Sequence, residues 1–250
     1  MAAVNIREEG GVRTLHLGSE WVQGAMRIAR PWNLELEYTR DMMVSLLLRP
    51  EARFPRRVLL IGLGAGSLTK FLYRHFPLAH LTAVEINPEV VAVARQFFKL
   101  PEDPKRLRIV VGDGADFIAE NQKQYDLILV DGFDGRARSG MLNTLMFYEN
   151  CRARLNENGI AAINLLGQSR DFKGNLERIA AAFDDRSLAV PPCGSGNVIA
   201  LAAAGEPVRL ALADVRESAQ ELKARTGLNL MPAISRLEGR LGGAHGMLSL

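Results

Sequence analysis

The chain has 250 residues, of which 48% are apolar and 24% charged, and its formal net charge is +3. This length suits one sizeable domain with a small appendage, and the composition is ordinary for a globular protein. The small charge, with no dense run of Lys and Arg, gives no reason to expect nucleic-acid binding, and no apolar run approaches the roughly 20 residues of a membrane span.

The two cysteines, Cys151 and Cys193, form no CxxC pair and stand at no metal-ligand spacing from a histidine. We interpret them as reduced, buried thiols and expect no metal site. The N-terminus lacks the basic stretch and apolar segment of a signal peptide. The sequence therefore predicts a cytoplasmic protein without a membrane segment.

Residues 1–55 form the first predicted region. Apolar and polar residues alternate over 12–17, a turn is predicted at Gly18 and Ser19, and 21–28 predicts a second strand, so the two strands predict a β-hairpin. Apolar residues at helical spacing over 34–48 predict a helix that Pro50 ends. We therefore expect a small appendage of a β-hairpin and a helix before the main domain.

Strands and helices alternate over the second predicted region, residues 56–205. Short continuous apolar segments suit strands covered on both faces of a parallel sheet, and the helices between them suit right-handed crossovers. The strands are predicted at 58–61, 81–86, 107–111, 126–130 and 160–165, followed by antiparallel edge strands at 187–190 and 197–203. The helices are predicted at 67–76, 88–98, 115–121, 142–155 and 176–183. This order predicts a Rossmann-like α/β fold with a doubly wound, mostly parallel sheet.

The third predicted region is a C-terminal helical extension over 206–250. The spacing of its apolar residues predicts helices at 215–225 and 234–241. The stretch 242–245, rich in Gly and His, predicts a frayed end.

A glycine loop follows the first strand of the main domain, with Gly62, Gly64 and Gly66 between that strand and a helix. Glycine permits a tight turn and close approach of the backbone to a ligand, and the helix N-terminus adds N–H donors. Glu85 ends the next strand, where an acid can accept hydrogen bonds from both ribose hydroxyls of a nucleoside. The alternative is that the glycines serve packing and Glu85 is a solvated strand end.

Asp113, Gly114 and Ala115 follow the third strand and form the last part of the predicted nucleoside site. A carboxylate at this point can accept a hydrogen bond from an exocyclic amine, which adenine offers. Asp113 can also cap the helix that follows, and the two roles are compatible. Together with Glu85, Asp113 therefore predicts an adenosine group as the ligand.

Two acids, Asp131 and Asp134, stand at and just after the end of the fourth strand. Ligands of such sheets bind at the carboxyl ends of the strands. A pair of acids there can bind a cationic amine, and one of them can accept its proton, since the second charge raises the proton affinity. The alternatives are a strand-end cap for Asp131 and a solvated loop charge for Asp134.

The glycine loop, Glu85, Asp113 and Asp131, in this order, resemble the class I S-adenosylmethionine-dependent methyltransferase fold over about residues 56–205. Within that fold the chain is most similar to the spermidine synthase (polyamine aminopropyltransferase) family. The similarity rests on residues 84–91, on residues 112–117, and on residues 125–131 with Asp134, Phe147 and Tyr148 after them. The N-terminal hairpin and Tyr38 also resemble that family's small β domain and the segment before its main sheet.

The resemblance implies roles for individual residues. Asp131 would take the proton of the attacking amine, Asp134 would hold the charge of a diamine, and Gln23 and Tyr38 would lie near the polyamine. The donor would be decarboxylated S-adenosylmethionine and the acceptor a putrescine-like amine, which would attack the carbon beside the sulfonium and displace methylthioadenosine. The family also implies a homodimer formed through the N-terminal strands, without a metal or a permanently bound cofactor.

Two alternatives remain open from the sequence. The first is an S-adenosylmethionine-dependent methyltransferase of unknown substrate. Ala65, where the family usually has an acid, and Arg136 and Arg138 near the predicted mouth of the site favour it. The second is a paralogue without catalytic activity that retains nucleoside binding or only the dimeric scaffold.

Overall fold

In the computed structural model the chain is described over residues 3–49, 54–133, 139–241 and 246–250. The strands are β1 (Val4–Glu9), β2 (Val12–Leu17), β3 (Val22–Arg27), β4 (Arg57–Ile61), β5 (His80–Glu85), β6 (Leu107–Val111), β7 (Tyr125–Val130), β8 (Leu155–Leu166), β9 (Ser187–Val190), β10 (Asn197–Ala203), β11 (Arg209–Ala211) and β12 (Met247–Ser249). The α-helices are α1 (Glu37–Met42), α2 (Ser67–His75), α3 (Pro88–Phe98), α4 (Gly114–Glu120), α5 (Leu145–Ala153), α6 (Phe172–Ala182), α7 (Leu212–Thr226) and α8 (Met231–Leu241). Short 3-10 helices cover Met43–Leu47 and Gly140–Asn143.

A seven-stranded sheet with the order β6-β5-β4-β7-β8-β10-β9 forms the centre of the fold. The pairs β4–β5, β5–β6, β4–β7 and β7–β8 are parallel, and β10 is antiparallel to both of its neighbours. The predicted doubly wound, mostly parallel sheet is thus confirmed. The prediction of two edge strands is wrong for β10, which pairs on both sides and is buried over residues 198–203 because helices cover the sheet there.

Several other predicted boundaries differ from the structure by a few residues, and two of them lie next to each other. The helix predicted over 142–155 starts only at Leu145, because the Thr144 side chain caps α5 by accepting a hydrogen bond from the backbone of Phe147. The strand predicted at 160–165 begins earlier, at Leu155, and its pairing with β7 shifts register between Leu155 and Ile160.

The N-terminal region is a three-stranded antiparallel sheet, β1-β2-β3, rather than a two-stranded hairpin. Sequence periodicity missed β1, since only its first half alternates and four of its six residues are exposed. Leu15 and Met26 of this sheet pack on Ala65 of the glycine loop and on Phe98 of α3. The small sheet therefore covers the start of the predicted nucleoside site.

The C-terminal region packs on the same apolar cluster as the central sheet, through buried residues such as Val215, Ile234 and Leu248. In addition to the two predicted helices it contains a small antiparallel sheet of β11 and β12, which the sequence did not indicate because each strand has only three residues. The predicted frayed stretch 242–245 lies outside the described residues. None of the helices in the described ranges has the length and apolarity to cross a membrane.

Candidate functional site

The glycine loop adopts backbone angles that favour glycine, with φ of 93° at Gly62, 51° at Gly64 and 67° at Gly66. A Cβ on Gly62 would lie 2.1 Å from the carbonyl oxygen of Asp131, and one on Gly64 would lie 2.7 Å from the carbonyl oxygen of Gln23. These two positions need glycine for both angle and space. Gly66 instead forms the N-cap of α2 and does not line the cavity at the carboxyl ends of the parallel strands.

Glu85 is 9% exposed at the end of β5, and backbone donors hold both of its carboxylate oxygens. Oε2 accepts a hydrogen bond from the N–H of Leu63 at 2.9 Å, and Oε1 accepts one from the N–H of Asn87 at 3.0 Å. A carboxylate has about four acceptor positions, so capacity for a ligand remains. The Glu85 side chain is thus fixed beside the glycine loop.

Asp113 caps α4, because its Oδ1 accepts a hydrogen bond from the N–H of Ala115 at 2.7 Å. The capping role considered from the sequence is therefore present, and Asp113 also faces the cavity beside Glu85. Gly114 lies so close to Ile61 that a Cβ would approach its Cγ2 to 2.4 Å. Ala115 does not line the cavity.

The first cavity, of about 490 Å³, lies at the carboxyl ends of the parallel strands. It is lined by Leu15, Leu17, Gln23, Ile61, Gly62, Gly64, Val84, Glu85, Ile86, Val90, Asp113, Gly114, Asp131, Gly132, Phe133, Ser139, Gly140, Met141 and Leu142. The fold thus brings most of the predicted nucleoside residues to one space, with strand-end acids on one side and the N-terminal sheet on the other.

Asp131 ends β7, and the side chains of two residues hold its carboxylate. The hydroxyl of Tyr38 donates to Oδ2 at 3.1 Å, and Nδ2 of Asn164 donates to Oδ1 at 2.8 Å. Burial raises the pKa of Asp131 above its usual range, and the charge of Glu85 adds to this, while the two hydrogen bonds oppose it. Burial and the Asp131 charge also raise the pKa of Tyr38, so its hydroxyl stays protonated and can donate.

A chain of polar side chains continues from Asn164, the one buried polar residue of the sequence Ile160–Leu166. Its Oδ1 accepts a hydrogen bond from Nδ2 of Asn197 at 2.9 Å, and the Oδ1 of Asn197 accepts one from Oγ of Ser195 at 2.7 Å. None of these three residues was predicted from the sequence to have a role in the site. A polar side chain within an otherwise apolar strand was the one signal for Asn164, whereas nothing local marks Asn197 or Ser195.

The second cavity, also of about 490 Å³, lies on the other side of Asp131. It is lined by Glu20, Trp21, Val22, Gln23, Leu36, Glu37, Tyr38, Asp131, Phe133, Asn164, Leu166, Ser195 and Asn197. The lining of this cavity combines carboxylates, neutral polar groups and apolar side chains. Such a lining suits a ligand with positively charged nitrogens on an alkyl chain.

Gln23 and Tyr38, which the family resemblance places near the polyamine, both line this second cavity, and Tyr38 contacts Asp131. Asp134, Arg136 and Arg138 lie outside the described residues. Within the described ranges, no group of three or more His, Cys, Asp or Glu side chains could hold a metal ion.

Comparison with known proteins gives a consistent result at the level of sequence. The profile of a family described as the spermine/spermidine synthase domain matches residues 35–182. A polyamine aminopropyltransferase of Chromobacterium violaceum is 39% identical over 238 residues, which cover 95% of this chain and 90% of that protein. A polyamine aminopropyltransferase of Neisseria meningitidis serogroup A is 35% identical over 94% of this chain and 89% of its own length.

Solved structures share the fold. Human methyltransferase-like protein 13 in complex with SAH is 28% identical, with a TM-score of 0.69 over 77% of this chain and 93% of that chain. A spermidine synthase in complex with the transition state analogue AdoDATO is 20% identical, with a TM-score of 0.64 over 93% of this chain and 84% of that chain. A probable spermidine synthase from Corynebacterium glutamicum is 19% identical, with a TM-score of 0.73 over 99% of this chain and 87% of that chain.

Proposed function

Because the chain belongs to the spermine/spermidine synthase family, we propose that it is an aminopropyltransferase. It would transfer an aminopropyl group from decarboxylated S-adenosylmethionine to a polyamine amine such as putrescine. The observation that carries the proposal is the position of Asp131, which lines both cavities at the point where they meet. A group there touches both the donor's reacting end and the acceptor's reacting nitrogen.

The first cavity would hold the nucleoside of the donor. Glu85 would accept hydrogen bonds from the ribose hydroxyls, and Asp113 would accept one from the exocyclic amine of adenine. The backbone of Gly62 and Gly64 also lines this cavity, while the space that a side chain at either position would need is filled by the backbone of Asp131 or Gln23. The contribution of this cavity to the reaction is alignment of the donor.

The reaction itself forms a C–N bond and breaks a C–S bond. The acceptor nitrogen attacks the propyl carbon beside the sulfonium, and the electron pair of the broken bond stays on sulfur, which leaves as methylthioadenosine. The nitrogen loses one proton, and the carboxylate of Asp131 accepts it. The raised pKa of Asp131 makes it a stronger base than an exposed aspartate, and its hydrogen bonds with Tyr38 and Asn164 fix its direction.

The test uses the purified full chain with putrescine and either decarboxylated or intact S-adenosylmethionine. We expect spermidine and methylthioadenosine, detected by mass spectrometry, only with the decarboxylated donor, and tighter binding of that donor in calorimetry. Preference for the intact donor without spermidine would support a methyltransferase instead, in line with the likeness to human methyltransferase-like protein 13. Absence of binding by either nucleoside would support a paralogue without activity.

We further propose that the enzyme is a cytoplasmic homodimer associated through its N-terminal sheet. Trp21, Val22 and Ile28 expose 59%, 40% and 37% of their surfaces at this sheet, which suits an interface. The two cysteines are free and buried, as suits a reducing compartment. Light scattering on the purified chain tests the dimer, and a monomer at micromolar concentration would contradict it.

A further inference from the structure

Glu37 lies on the wall of the second cavity, one residue before Tyr38, and its side chain is 35% exposed. Its Oε2 accepts a hydrogen bond from the N–H of Gly194 at 2.9 Å, in the loop between β9 and β10. Its Oε1 accepts one from Nη1 of Arg236 on α8 at 3.3 Å. Three segments that are far apart in sequence therefore meet at this carboxylate.

Arg236 holds Glu37 in place from behind the cavity. Besides Glu37, its guanidinium donates to the carboxylate of Asp41, which is 4% exposed, and through Nε to the carbonyl oxygen of Pro191 at 3.2 Å. All of the guanidinium nitrogens are thus engaged, on α1 and on the loop after β9. A planar guanidinium anchored in this way fixes the carboxylate more firmly than a single surface ion pair does.

The two carboxylates at this wall pair with the same guanidinium. One guanidinium is shared by the carboxylates of Glu37 and Asp41. The two bonds to Glu37 use about half of the roughly four acceptor positions of a carboxylate. None of the described residues that line the second cavity is Lys or Arg. A positive group of the ligand would therefore find at Glu37 a fixed carboxylate whose charge the shared guanidinium neutralises only in part.

Because Glu37 and Asp131 line the same cavity, their placement indicates how the charged groups of the ligand would be arranged. Both carboxylates line the same cavity, and apolar walls such as Leu36 and Leu166 lie in it as well. The nitrogen that reacts must be at Asp131. A second nitrogen that carries a charge, separated from the first by an alkyl chain, would be at Glu37.

We propose that Glu37 is a specificity-determining residue, which binds the second cationic nitrogen of the acceptor and thereby selects diamines over monoamines. The proposal rests on the aminopropyl transfer proposed above. Arg236 is a positioning residue in this arrangement, since it acts on the acceptor through Glu37.

The test compares putrescine with butylamine, which has the same carbon chain but one nitrogen, in wild-type protein, Glu37→Gln and Glu37→Asp. Binding is measured by calorimetry with methylthioadenosine present, and kcat and KM are measured for putrescine with decarboxylated S-adenosylmethionine. The glutamine can still accept a hydrogen bond from Gly194, so the loop contact is kept while the charge is lost. Glu35→Gln is the matched control, because Glu35 pairs with Arg27 and lines neither cavity.

We expect Glu37→Gln to weaken putrescine binding about tenfold, to raise KM by a similar factor with little change in kcat, and to leave butylamine binding unchanged. Glu37→Asp should retain most of the preference for putrescine, and Glu35→Gln all of it. An equal loss for both amines, no loss for either, or a loss in kcat alone would overturn the inference while leaving aminopropyl transfer intact. A wild-type protein that forms no spermidine overturns the proposed function and the inference with it.

Discussion

The two cavities on either side of Asp131 are built in different ways. The glycines and acids of the first stand in turns at the ends of β4, β5, β6 and β7, each in a short local motif, and the N-terminal sheet forms the opposite wall. The second is formed by side chains from the N-terminal sheet, α1, β8 and the start of β10. The polar groups of the first cavity are thus placed by local turns, whereas those of the second depend on contacts between distant segments.

This difference implies that the two cavities respond differently to substitution. Glu85 takes both of its described hydrogen bonds from backbone N–H groups close to its own strand and the glycine loop. Asp131 instead takes its bonds from the side chains of Tyr38 and Asn164. We therefore expect changes in the first cavity to act on donor affinity, and changes in the second to act on the acceptor and on the proton of Asp131.

The largest effect is expected where the two cavities meet. Asp131→Asn keeps the size of the side chain but removes the base, so kcat should fall about a thousandfold. Donor affinity measured by calorimetry should change little, because the amide oxygen can still accept a hydrogen bond from Asn164. A loss of nucleoside binding as large as the loss in kcat would show that Asp131 belongs to the donor cavity alone.

The next largest effect is expected at Glu85, and it should distinguish donor binding in the first cavity from acceptor binding in the second. Glu85→Gln replaces an acceptor oxygen by an NH₂ group that faces a backbone N–H, so donor affinity should fall about tenfold to a hundredfold. Butylamine and putrescine affinities should remain as in the wild type. Glu89→Gln, an exposed change in the first turn of α3, is the control and should leave donor affinity unchanged. Equal loss of donor and acceptor affinity in Glu85→Gln would mean that the cavities are not independent.

The same difference explains how much the sequence could predict. The alternating strands and helices of the doubly wound sheet, the glycine loop, Glu85 and Asp113 were predicted because strand periodicity and strand-end acids are local signals. Asn197, Glu37 and Arg236 were not assigned a site role, since only the folded chain brings them to one place and no local pattern marks them. The short strands β11 and β12 were missed for a similar reason, because tertiary pairing rather than propensity forms them.

A further test concerns pH. Asp131 must be ionised to act as a base, so the rate falls on the acid side as pH drops through its pKa, which burial has raised. The Tyr38 hydrogen bond lowers that pKa, and its removal in Tyr38→Phe should raise the pKa and move the acidic limb of the kcat profile to higher pH.

The control for this shift is Tyr73→Phe. It also removes a hydrogen bond from a tyrosine hydroxyl to a carboxylate, that of Asp103 at 3.0 Å, but at the opposite end of α2 from the glycine loop. Its pH profile should match that of the wild type. An acidic limb that stays in place in Tyr38→Phe, or moves to lower pH, would mean that a group other than Asp131 controls the rate.

The smallest effect is expected at Tyr148, which the family resemblance grouped with the strand and loop of Asp131. The Tyr148 side chain is fully buried in an apolar cluster on one face of the sheet and lines neither cavity. Its hydroxyl has no hydrogen-bond partner among the described residues. A buried hydroxyl without a partner costs folding free energy, so Tyr148→Phe should raise the free energy of unfolding by about 1 kcal/mol and leave kcat/KM unchanged.

Tyr125 is the control for this change, since it lies in the same cluster but its hydroxyl accepts a hydrogen bond from Asn121 at 2.6 Å. Tyr125→Phe should therefore lower the free energy of unfolding by about 1 kcal/mol in denaturant titrations. A loss of activity in Tyr148→Phe without loss of stability would extend the site beyond the two cavities, to the core that supports them.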